Sequence, residues 1–216
     1  MTSSTFFVTG MQRSGTTLLE KLLSNHPQVS ILSQPFPFLL LECKRSFLRR
    51  FGLENARFPL GNLFLEDAYS TEDFSAHLVE HTVGRRVLRE LFAAMADFSG
   101  QYTRFDNSEV EAVLDRLIPG DLMTTLAQLY REFAHKTGAE RFGGKETICE
   151  EFLPYLLARD CKCLVIVRDP RDILASLNCG RGPQYAGSLK PTLFNLRNWR
   201  KSVAFVLHLQ RDPGFA

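Results

Sequence analysis

Two glycines five positions apart, set between a short strand and a helix, constrain this chain more than any other feature. Thr5 to Thr9 (T-F-F-V-T) is β-branched and aromatic, the composition of a short buried strand. Gly10-Met11-Gln12-Arg13-Ser14-Gly15-Thr16-Thr17 follows, and Leu18, Leu19, Leu22 and Leu23 then recur at helical spacing up to Ser24. Pro27 lies just beyond, where a helix would have stopped. Strand, glycine turn and helix in that order bring backbone N–H groups and the positive end of a helix dipole to one point, which suits an anion. The spacing is G-x-x-x-x-G, yet Thr16 stands where a triphosphate-binding loop carries Lys. Thr17 holds the Ser/Thr position, and Arg13 puts a cation inside the loop. A guanidinium can fork onto two oxyanions by itself, without the loop lysine and metal that nucleoside-triphosphate chemistry uses. The plainer reading is a glycine turn with a Ser/Thr helix cap.

A second unit of the same kind lies near the other end. Cys161 to Val167 (C-K-C-L-V-I-V) is a near-continuous apolar run, as expected of a parallel strand buried on both faces. It ends in Arg168-Asp169-Pro170-Arg171-Asp172, and Pro170 opens a helix to Asn178. Arg168 sits at the carboxyl end of the strand, where open α/β sheets bind ligands. Ser176 follows eight positions later, two turns along, so Arg168 and Ser176 are placed to hold one phosphate. The plainer reading makes Arg168 and Asp172 a structural ion pair.

Between these units the chain reads as helical. Val29 to Leu32 is a second short strand, Phe36 to Arg50 a helix, and Phe51 to Tyr69 a loop or lid without a clean period. Thr71 to Phe98 reads as mostly helical, with Thr71 as its cap. Ser108 to Leu117 and Gly120 to Lys136 follow as helices, then a short strand or turn at Arg141 to Gly144 and a helix over Cys149 to Arg159. A long helix runs from Thr192 to Gln210. Strand–turn–helix units at both ends predict an α/β fold on a parallel sheet.

Composition narrows the class. At 216 residues with 44% hydrophobic and 23% charged, the chain is an ordinary globular one and can bury a sizeable core. Lys and Arg number 26 against 24 Asp and Glu, so a charge-driven nucleic-acid binder is not expected. No apolar run approaches the roughly 20 residues of a membrane span, and the N-terminus lacks a secretory pattern, so the expectation is a cytoplasmic protein. The five cysteines (Cys43, Cys149, Cys161, Cys163, Cys179) are irregularly spaced and read as free thiols, with no metal expected.

Taken together, the two loops resemble those of the sulfotransferases that use 3′-phosphoadenosine 5′-phosphosulfate. The R-S-G-T-T block resembles the 5′-phosphosulfate loop of tyrosylprotein-type and bacterial members, and V-I-V-R-D-P-R-D-I-L-A-S-L resembles the 3′-phosphate strand, loop and helix. Strong motif matches cover about a fifth of the chain. The resemblance implies a three-layer, parallel-sheet, P-loop-like fold in a single domain over 1–216, with 41–137 a mainly helical insertion on the acceptor side. It assigns Gln12, Arg13, Ser14, Gly15, Thr16 and Thr17 to the 5′-phosphosulfate and Arg168 and Ser176 to the 3′-phosphate. Gly144-Lys145-Glu146-Thr147 resembles the segment whose lysine stabilises the transferring group, so Lys145 and Arg13 are the implied catalytic cations.

The general base departs from the pattern. Tyrosylprotein-type relatives carry a Glu eight positions after the His of His-Pro; here, after His26-Pro27, that position is Gln34, which takes no proton. Glu42, His26, His77 and His81 are the alternatives, and Glu42 is the residue chosen. His77 and His81 are four apart, also a metal-ligand spacing, though Glu80 is misplaced for H-E-x-x-H. Relatives continue with a further strand and a C-terminal segment that helps hold the 3′-phosphate. The chain stops before either, so reduced nucleotide affinity or a truncated chain is expected. The acceptor, a small molecule, carbohydrate or peptide, is expected to meet residues 41–137, and the phenylalanines of Phe51 to Tyr69 to line an apolar pocket. An ATP-dependent phosphotransferase and a non-catalytic nucleotide-binding protein of the same fold are the competing readings.

Overall fold

The computed structural model describes residues 4–53, 69–96, 103–179 and 192–211. Its centre is a sheet of four parallel strands in the order β2-β3-β1-β4. These are β1 (Thr5–Gly10), β2 (Val29–Ser33), β3 (Arg141–Lys145) and β4 (Lys162–Ile166). β1 is buried at all six positions because it lies between β3 and β4, which explains its unbroken apolar and β-branched run. Parallel register puts Gly10, Ser33, Lys145 and Ile166 at the same carboxyl edge of the sheet. Each strand is followed there by a loop, so the topology gathers four loops along one edge.

Helix α1 (Thr16–Ser24) follows β1, and helix α8 (Pro170–Cys179) follows β4. Between β2 and β3 the described chain forms α2 (Pro37–Arg49), α3 (Thr71–Glu80), α4 (Arg85–Ala96), α5 (Asn107–Arg116) and α6 (Leu122–Glu132). A 3₁₀ turn at Glu150–Phe152 leads into the short α7 (Leu153–Leu157), and α9 (Thr192–Leu209) closes the described chain. None of these helices is long and apolar enough to cross a membrane.

Three sequence expectations need correction. The span from Thr71 is mostly helical as expected, divided into two helices, but its cap is different. His81 leaves α3 in an extended conformation, and the β-branched Thr82 and Val83 with Gly84 carry the chain to α4. The cap is Ser70, one residue earlier, in a reciprocal capping box with Asp73. β4 is not buried on both faces: it is the sheet's edge among the described strands, with Leu164 42% exposed. Cys149 to Arg159 begins as 3₁₀ rather than α-helix, and the α-helix starts only at Leu153, with Pro154 in its first turn.

The described aromatic residues of the helical region gather in two clusters. Phe36, Phe92, Phe105, Tyr130 and Phe133 form one aromatic cluster between α2, α4 and α6, with the Phe105 and Phe133 rings 4.3 Å apart. Phe47, Tyr69, Phe74 and Phe152 form a second. Phe58, Phe64 and Phe98 lie outside the described residues, as does most of the lid-like stretch. Cys43, Cys149 and Cys161 are free and buried, and burial pushes the Cys43 and Cys149 thiols up to about 12.

One polar cluster inside the core was not legible in sequence. Lys44 of α2 pairs with Glu151, which also receives Lys201 of α9 at 3.1 Å. Ser202 donates to Glu150 at 2.6 Å. Lys44, Glu150 and Glu151 are fully buried, and burial lowers Lys44 to about 7. Lys44 and Lys201 both meet Glu151 while Ser202 meets Glu150, so the cluster fastens α2 and α9 to the turn after β3.

Candidate active site

The loop after β1 turns by left-handed backbone at two places. Arg13 has φ 67° and Gly15 has φ 112°, and Gly15 rather than a serine or threonine stands at the N-cap of α1. No side chain caps that helix, so the cap reading of Ser14, Thr16 and Thr17 does not hold. Leu18 and Leu19 N–H donate to the Gly15 carbonyl, and the start of α1 follows directly on the carboxyl end of β1, where a helix N-terminus suits an anion. Gly10 (φ 153°) is required for closeness. A Cβ there would stand 2.5 Å from the Ile166 carbonyl oxygen and 3.0 Å from the Ser14 hydroxyl. The loop is therefore pressed against the end of β4. Ser14 is 6% exposed, and its hydroxyl has no partner among the described residues.

The loop after β4 meets it. Arg13 Nε donates to Ser176 Oγ at 3.0 Å, and an Arg168 Nη donates to the Arg13 carbonyl at 3.2 Å. Arg13 of the first loop and Ser176 of α8, 163 positions apart, thus wall one cavity of about 220 Å³ together with Arg168 of the second loop. Its lining is Arg13, Gly15, Thr16, Thr17, Arg168 and Ser176. Two guanidinium groups and three hydroxyls converge there without a carboxylate in the lining, so the chemistry of the cavity is that of an anion site. The cavity draws its lining from both loops. Gln12 is exposed, and neither it nor Ser14 lines the cavity.

The family model for sulfotransferases matches residues 5–211. The chain belongs to the sulfotransferase family. That match takes in both loops and every described strand, and the all-parallel sheet flanked by helices agrees with the sulfotransferase fold. Sulfuryl transfer is accordingly the general chemistry of this chain. Among curated proteins, none matches it.

Several contacts that fix this sulfotransferase site were not visible in sequence. Met11 and Ile173, each 1% exposed, pack together with Ile148 and Trp199 behind the two loops. Trp199 Nε1 donates to the Arg168 carbonyl at 2.9 Å, so α9 holds the second loop from outside. Apolar residues in a loop and a lone tryptophan on a distant helix carry no spacing signal that would link them. The ion pair of Arg168 with Asp172 does form, at 3.4 Å, while the same guanidinium lines the cavity.

The remaining sequence candidates fall elsewhere. Lys145 does not line the cavity; its side chain is 3% exposed and its ammonium is 3.1 Å from a Glu20 carboxylate oxygen. Gln34 stands at the carboxyl edge with φ 42°, an uncommon conformation for its type. Its N–H donates to the Lys145 carbonyl at 2.7 Å, and its side-chain oxygen accepts from Thr147 Oγ1 at 2.9 Å. Glu42 is bound by Arg49 at 2.7 Å and is not part of the cavity lining. His26 follows α1 and precedes β2, so it lies at the amino ends of the strands, opposite the cavity. His77 and His81 stack on each other at 5.0 Å beside Phe47. Burial lowers both, His77 to about 4. Among the described residues no three His, Cys, Asp or Glu side chains are grouped to hold a metal.

Sequence reasoning also passed over Glu146. It is 1% exposed, accepts the Phe36 N–H at 2.7 Å, and is pushed up to about 8 by burial. With Gln34 and Thr147 it staples the loop after β2 to the end of β3.

Proposed function

We propose that this chain moves a sulfuryl group from 3′-phosphoadenosine 5′-phosphosulfate to a hydroxyl or amine of an acceptor. One observation carries the reading: the Arg13–Ser176 hydrogen bond closes two loops, each typed for a phosphate, into a single cationic cavity. Within it, Arg13, Gly15, Thr16 and Thr17 hold the 5′-phosphosulfate, with Gln12 and Ser14 shaping the loop. Arg168 and Ser176 hold the 3′-phosphate. An ATP-type loop would place a lysine where Thr16 stands.

The acceptor heteroatom attacks sulfur in line, a new O–S or N–S bond forms, and the bond from sulfur to the 5′-phosphate oxygen breaks. 3′-Phosphoadenosine 5′-phosphate leaves with the bonding pair. Charge grows on that oxygen, so donors aimed at it supply most of the catalysis. Arg13 is assigned that charge, together with the N–H groups at the start of α1, and Lys145 is assigned the transferring sulfuryl group. The acceptor's proton goes to a base within hydrogen-bond reach. Glu42 is the candidate retained, and it can serve only once Arg49 releases it. Residues 41–137 form the acceptor side of one domain in this reading.

The test is turnover. The full chain is incubated with the donor and a panel of phenols, sugars, peptides and amines, and mass spectrometry reads sulfated product and released nucleotide. Product that disappears in Arg13→Ala supports the reading. Transfer of phosphate from ATP, with none of sulfate, overturns it.

A further inference from the structure

Lys145 ends β3, in register with Val8 of β1 and Ser33 of β2, and its stem is shut away from solvent. Its ammonium lies 3.1 Å from Glu20, whose side chain is 16% exposed. Glu20 is four residues after Thr16 on α1, so the two share one face of the helix. Thr16 lines the cationic cavity; Glu20 lies about 6 Å further down the same face, by the rise of an α-helix. That distance is within the swing of a lysine's flexible four-carbon stem. The carboxylate therefore holds the ammonium one helical turn behind the cavity wall.

We propose that Glu20 is a positioning residue that competes with the donor's sulfuryl group for Lys145. The ammonium that the 5′-phosphosulfate recruits is the one Glu20 retains, and donor binding exchanges one anionic partner for the other. The inference rests on the sulfuryl-transfer reading of the same cavity. It has a consequence that a merely structural ion pair lacks. Weakening Glu20 must favour the sulfated nucleotide over the desulfated one, because only the first carries the group that Lys145 answers.

The experiment is calorimetric titration of the full chain with 3′-phosphoadenosine 5′-phosphosulfate and, separately, with 3′-phosphoadenosine 5′-phosphate. Glu20→Gln is expected to bind the sulfated nucleotide about three- to fivefold more tightly than the native chain, the scale of a partly exposed ion pair. Its affinity for the desulfated nucleotide stays within about twofold. Adding Lys145→Met to Glu20→Gln removes the gain. Glu20→Asp, which keeps the charge but withdraws it by one methylene, carries the test if the glutamine variant does not fold, with a smaller gain in the same direction. Equal affinities in native chain and Glu20 variants, or a loss shared by both nucleotides, overturn the proposal and leave the donor assignment standing. A native chain that binds neither nucleotide overturns both.

Discussion

The loop after β1 and the loop after β4 face the same cavity but are made differently. The first is a backbone device: Arg13 and Gly15 adopt left-handed conformations, Gly10 admits the Ile166 carbonyl, and α1 starts without a side-chain cap. It leaves a central, fully buried strand. The second is a side-chain device on an edge strand. Arg168 is 43% exposed, reaches across to the Arg13 carbonyl, and is backed by Trp199. The contrast teaches where each loop is fragile. The first fails when its conformation is disturbed, which also damages the fold. The second fails when its charge is removed, with the fold intact.

Gly10→Ala is the harshest way to examine that difference. Its Cβ would meet the Ile166 carbonyl at 2.5 Å, so strand or loop must shift. A loss of about 3 kcal/mol in stability is expected from overpacking and strain together, along with the loss of nucleotide binding. Denaturant titration and calorimetry read both. An alanine variant that keeps native stability would dissolve the distinction between the loops. Arg168→Ala is next. Removing its charge-assisted hydrogen bonds is expected to weaken binding of 3′-phosphoadenosine 5′-phosphate about 100-fold. Its melting temperature should stay near the native value, since the contacts it loses are exposed ones. Ser176→Ala, which takes one neutral partner from Arg13, is expected to cost about fivefold in the same titration.

A separate effect concerns pH and the staple that Glu146 makes at the end of β3. Burial raises Glu146 to about 8 from 4.5, so between those values the folded chain holds a proton that the unfolded chain has released. Stability therefore falls as pH rises across that window. Glu146→Gln, which still offers an oxygen to the Phe36 N–H, should flatten this fall, as seen in chemical denaturation at a series of pH values. A slope unchanged by the substitution would mean Glu146 is not the titrating group.

Much of this is legible in the sequence, for reasons that differ by element. Helix α1 and both loop units follow from apolar spacing between glycine and proline signals, and Arg168 from its strand-end position; Arg13, Thr16 and Thr17 rest on the resemblance of their loop, and Gln12, Ser14, Lys145 and Glu42 fall outside the cavity lining. The break between α3 and α4 was not readable, because His81 to Gly84 interrupts an otherwise helical pattern without a proline. The exposure of β4 was misread because an apolar run reports strand formation, not the number of neighbours. Glu20, Trp199 and the Lys44–Glu151–Lys201 cluster were invisible for one reason. Each depends on partners distant in sequence, and no local period marks a residue for a tertiary ion pair or hydrogen bond.

The central claim is that two loops from opposite ends of the chain form one nucleotide site, and titration with 3′-phosphoadenosine 5′-phosphate tests it most directly. The native chain and Arg168→Ala are measured without metal, with ATP as the control. Binding by the native chain, lost about 100-fold in Arg168→Ala and absent for ATP, is the predicted result. Tight Mg²⁺-dependent binding of ATP, or equal binding of the desulfated nucleotide by both chains, would contradict it.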